Sequence, residues 1–98
     1  MKKKFAFLLM GAHYRPVEHQ VKFETEHQIT CIYTVQNFEQ AVEMLLDLDK
    51  QGFGAIELCG AFGQEKAKEF AEMTGNRIAI GYVVHAPEMD EAFTHFFG

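Results

Sequence analysis

The sequence predicts an α/β domain built on a mainly parallel sheet of about four strands, and three observations predict it. Short apolar runs alternate with segments of helical periodicity along the whole chain. The central run, Ala55-Ile56-Glu57-Leu58-Cys59, is too short for a helix and is bounded by Gly52 and Gly54 before it and Gly60 and Gly63 after it. Strands that alternate with helices are joined by right-handed crossovers and lie parallel. A small flavodoxin-like domain of three layers is the first expectation. A ferredoxin-like α+β arrangement is the alternative, and it gains if residues 14–27 form a strand.

The elements follow in order. Phe5 to Met10 is a near-continuous apolar run closed by Gly11-Ala12-His13, which suits a strand covered on both faces. Residues 14–27 admit two readings. One is a short helix opening at Pro16 with Tyr14, Val17 and Val21 inward; the other is an edge strand in which Val21, Phe23 and Thr25 alternate. The helix is the expectation. Gln28 to Val35 is dense in β-branched residues and reads as a strand. Asn37 then caps a helix, with Gln40 at capping-box spacing and Phe38, Ala41, Val42, Leu45 and Leu48 or Asp49 at helical intervals before Gly52. After the central strand, a helix opens at Gln64 or Glu65, turns Ala67, Phe70 and Ala71 inward and stops at Gly75. Arg77 leads into the strand Ile78 to Val84, and Pro87 starts a last helix striped with Met89, Ala92, Phe93 and Phe96.

At 98 residues the chain is one domain, 1–98, large enough to bury about two thirds of its unfolded surface without a metal or disulfide. A net charge of -5 with scattered basic residues argues against nucleic acid as a partner. No apolar run is long enough to span a bilayer. Cys31 and Cys59 have neither metal nor redox spacing and fit a reducing, cytoplasmic setting. The opening Met1-Lys2-Lys3-Lys4 and its apolar run resemble a secretory signal, but no small-x-small cleavage site follows, and the same residues make the best strand of the sheet. Phe93, Phe96 and Phe97 are more than one helix brings to so small a core. They point either to a homodimer or higher homo-oligomer, or to a helix docked on its own sheet.

In a parallel sheet the carboxyl ends of all strands share one edge, which here collects His13, Asn37, Cys59 and His85, with Glu57 one pleat below Cys59. Three chemistries compete there, each against a plain structural role. The turn Gly60-Ala61-Phe62-Gly63 and the helix start behind it form a cradle for a small anion, although the spacing is not that of a phosphate-binding loop and no lysine follows. Cys59 is a candidate nucleophile, since a helix N-terminus and a histidine favour the thiolate, with His85 or His13 as base and Glu57 as orienter. His13, Cys59 and His85 could also ligate zinc, but they lack the close spacing of a metal site, so no metal is assigned. No cofactor follows from the residues.

The stretch Ala55-Ile56-Glu57-Leu58-Cys59-Gly60-Ala61-Phe62-Gly63, with the helix Asn37-Phe38-Glu39-Gln40-Ala41-Val42 before it, resembles a family of small bacterial α/β proteins of unknown function. The resemblance runs from the first strand to the fourth. The family's turn reads Gly-Gly-Phe-Gly, so Ala61 is a departure, and the segment after His85 differs as well. A fainter analogy links Ala41 to Gly81 with one unit of aldolase-type barrels. The resemblance implies a cytoplasmic α/β fold and no activity. The expectation is thus a protein that binds a small ligand at the Cys59 to Gly63 turn, with a cysteine/histidine enzyme and an oligomerisation module as alternatives.

Overall fold

The computed structural model describes residues 1–98. Its elements are β1 (Lys3–Met10), β2 (Val21–Glu24), β3 (Gln28–Val35), α1 (Phe38–Lys50), β4 (Ala55–Leu58), α2 (Gly63–Met73), β5 (Ala79–Tyr82), a 3-10 turn (Pro87–Met89) and α3 (Asp90–Phe97). They form a mixed α/β fold with one sheet in the order β2-β3-β1-β4-β5. β1 lies parallel to β3 and β4, and β4 parallel to β5; only β2 runs antiparallel, against β3. The parallel sheet is as expected, but it has five strands rather than about four.

The fifth strand corrects the reading of residues 14–27. No helix forms after Pro16: one turn closes through Glu18 and His19 on the Arg15 carbonyl, and Val17 is left 83% exposed. Val21 to Glu24 instead pairs with Ile29 to Ile32. The hairpin is closed by Thr25, whose hydroxyl accepts from the amides of His27 and Gln28 at 3.1 Å, a side chain standing in for a backbone turn.

Register then decides what is buried. Ala6 lies between Cys31 and Ile56, and Leu8 between Tyr33 and Leu58, all on one face. That face packs with Ala41, Leu45 and Leu48 of α1 and Ala67 and Phe70 of α2 into one cluster of 14 buried residues. Each large side chain removed from water there contributes roughly 1.5–3 kcal/mol. Phe5, Phe7, Leu9, Ile32, Glu57 and Gly81 share the other face, where no helix packs. The expected three layers are therefore two. The reason lies in the connection from β1 to β3, which is spent on a loop and an edge strand rather than on a crossover helix that would cover the second face.

The two covering helices end as their sequences dictate. The Asn37 side chain accepts from the Gln40 amide at 2.9 Å, while the Gln40 side chain reaches back to the Gln36 amide at 2.8 Å. Gly52, at φ 85°, reverses the chain after α1 so that buried Phe53 bonds back to the Leu48 carbonyl. Arg77 after α2 donates twice to Asp49 of α1, at 3.3 and 2.6 Å, which holds the Asp49 carboxyl below its ordinary range. On β3, burial and then the neighbouring Cys31 push the Tyr33 phenol up to about 12. α3 is a different case. It packs chiefly against the turn before it, and Phe93, Phe96 and Phe97 are 42%, 79% and 77% exposed, so it is not docked on its own sheet. No helix is long and apolar enough to cross a membrane.

Candidate functional site

The strand order creates one distinctive place. β1 sends its connection toward β3, and β4 sends its own toward β5, so the chain diverges outside the carboxyl ends of the adjacent strands β1 and β4. Open α/β sheets hold ligands in the crevice such a divergence leaves. The segments that leave β1 and β4 there are Gly11 to Tyr14 and Cys59 to Gly63. Cys59 spans the floor: its amide donates to the Leu8 carbonyl at 3.0 Å, and its half-buried Sγ accepts from the Met10 amide at 3.4 Å.

The Cys59 to Gly63 segment is anchored from below. Phe62 is buried edge-on between Phe38 and Phe70, with ring centres 6.0 and 5.8 Å away, and its amide bonds the Cys59 carbonyl at 3.1 Å. Gly63 stands at φ 79°, a left-handed conformation that any side chain would strain, and the space where its side chain would go is empty. α2 begins without a side-chain cap because Phe62 holds the N-cap position, whereas α1 has Asn37. The first amides of α2 have no side-chain acceptor. Gly60 and Ala61 are exposed.

Each sequence-predicted residue has a definite place. His13 is exposed, 5.0 Å from the Tyr14 ring; that ring lies on Gly11, where a side chain would come within 2.8 Å of it. Asn37 is engaged as the α1 cap. His85 pairs with Asp90 at 2.7 Å and stacks on Phe93 at 4.2 Å. Glu57 is half-buried on the bare face of the sheet, its carboxylate lying where Gly81 has no side chain, 2.5 Å from the position a Cβ would take. No three His, Cys, Asp or Glu side chains stand close enough to hold a metal ion, so the grouping of His13, Cys59 and His85 as zinc ligands is not assembled. Asp90 was legible in the sequence only as an acidic residue in the first turn of the last helix, not as a partner of His85. The signal available was Pro87, which starts a tight turn that returns the chain toward the histidine five residues before Asp90.

Two surface grooves lie at the opposite edge of the sheet. One of about 590 Å³ is lined by Lys2, Lys3, Glu26 and His27, and one of about 560 Å³ by Lys2 to Phe5 and Gly52 to Ala55. Both are open, and two of their three lysines are engaged: Lys2 with Glu24 at 2.6 Å and Lys4 with the Gln51 carbonyl at 2.7 Å. Volume alone does not make them better candidates than the divergence of β1 and β4, beside which α2 begins without a side-chain cap.

Residues 3–98 match the model of a family of unknown function, DUF6506, and the chain belongs to that family. The match runs through α3, beyond the strands on which the sequence resemblance rested. Comparisons with curated proteins and with solved structures gave no match.

Proposed function

We propose that this member of a family of unknown function binds a small ligand with one acidic group in the crevice between Gly11 to Tyr14 and Cys59 to Gly63. The observation that carries the proposal is the divergence of the connections from β1 and β4 beside a helix whose first amides no side chain caps. The order of the parallel strands, β3-β1-β4-β5, supports a flavodoxin-like reading of the sheet, in which ligands sit at that edge. Glu65 in the first turn of α2 favours a ligand of low charge over a polyanion. His13, on the opposite wall, supplies a donor, and Asn37 and His85 frame the edge beyond it.

Native mass spectrometry before and after denaturation tests the reading, together with thermal unfolding in millimolar inorganic phosphate or acetate. A retained mass lost on denaturation, or a rise in Tm that His13→Ala removes, is expected. No retained mass and an unmoved Tm would overturn it.

A second reading, a cysteine/histidine enzyme, is favoured by one observation: the His85–Asp90 pair fixes an imidazole as a base is fixed in hydrolases. It assigns Cys59 as nucleophile and Asp90, rather than Glu57, as orienter. Cys59 should then alkylate faster than buried Cys31 at neutral pH, with the advantage reduced in Asp90→Asn. Equal rates would remove it.

A further inference from the structure

We infer that the bare face of the sheet is covered by a second copy of this chain, with α3 of each copy laid across its partner. The first ground is chemical. Parallel strands are almost always covered on both faces, yet α1 and α2 cover only one here. The uncovered face presents the half-buried Phe5, Phe7, Leu9 and Ile32, interspersed with Thr30 and bordered by Lys3 and by Thr34, which bonds the His19 carbonyl. Phe23 and Val83 stand exposed toward its two ends. Its one inner charge is Glu57, and that carboxylate lies flat over Gly81 instead of standing out from the face.

The second ground is area. A compact chain of 11.2 kDa exposes roughly 5,700 Å². This one exposes 6879 Å², about 1,200 Å² more than that scaling gives. A stable interface needs about 800 Å² from each partner, so the excess suffices for one. Shape agrees: the radius of gyration is 13.9 Å against about 12.6 Å for a compact domain of this length, and the molecule is 43 Å long but only 29 and 25 Å across.

The third ground selects the occupant. The face and the arm are both largely apolar, neither is covered by a helix, and both are on one chain. A two-fold pair satisfies the face and arm of each copy together and closes, leaving no sticky surface to propagate. A different protein seated on the face would leave the aromatic arm bare.

Sedimentation velocity of the full chain at micromolar concentration, read against two variants, tests this. Phe23→Lys with Val83→Lys charges the face; Phe96→Asp with Phe97→Asp charges the arm. All four positions are exposed in the single chain, so its fold should survive, which circular dichroism checks. The wild type should sediment at twice the chain mass of 11.2 kDa, and each double variant at the single mass with an unchanged spectrum. A wild type that stays monomeric overturns the proposal. So does a dimer that the charged face leaves intact, since the arms alone would then be pairing.

Discussion

The two faces of the sheet are built from the same strands and differ in what the connections between them became. Two connections are helices, and the side chains beneath them reach full burial: Ala6, Leu8 and Leu58 are all 0% exposed. The third is a loop and an edge strand, and Phe5, Phe7 and Leu9 on the same β1 remain partly open. Strand sequence alone therefore does not fix burial. A residue and its neighbour one pleat away sit between the same two strands, β3 and β4, and the layer above separates them.

Mutation should separate the faces by size of effect. Phe70→Ala, beneath the covered face, should cost about 3–5 kcal/mol in urea unfolding; a loss under 1 kcal/mol would mean that the helical layer is loosely packed. Tyr33 gives the same face a pH signature. Its phenol is held protonated by burial, so the stabilisation is complete below pH 10 and should be lost as pH rises from 10 toward about 12. Tyr33→Phe should flatten that decline. Asn37→Ala, which uncaps α1, should cost about 1 kcal/mol. On the bare face the effects should shrink. Gly81→Ala should change monomer stability by no more than about 0.5 kcal/mol, because the Glu57 carboxylate can swing into water. Should it cost several times that, the carboxylate has nowhere to go and the face is enclosed. Phe23→Ser should be nearly silent in the monomer and visible only in its sedimentation.

The success of the sequence reading follows the range of the forces involved. Asn37 with Gln40 and Gly52 bounded α1 correctly because caps act within one turn of chain, and Gln28 to Val35 matched β3 because β-branched density is local. Residues 14–27 failed because Val21 fits both periods, with Tyr14 and Val17 on a helix or with Phe23 and Thr25 on a strand, and the arbiter is a ladder with β3 that local pattern does not contain. The stripe of α3 was legible, but its docking was not, since an apolar stripe does not name the surface it meets. At the candidate site, the turn and its glycines were visible in the sequence. The crevice itself depends on strand order, and the engagement of His85 by Asp90 and of Asn37 by the α1 amide depends on geometry at single residues.

The central place of β1 has a consequence in time. Its two neighbours, β3 and β4, begin 25 and 52 residues after it does, at Gln28 and Ala55 against Lys3. No local hairpin can nucleate this centre, because β2 and β3, the one adjacent antiparallel pair, form at the edge. Closing the middle of the sheet means closing long loops before any contact rewards them, which places refolding in the range of milliseconds to seconds. During that interval the Phe5 to Met10 segment stands unpaired, and the slow step and the hazard of misassociation fall on the same six residues.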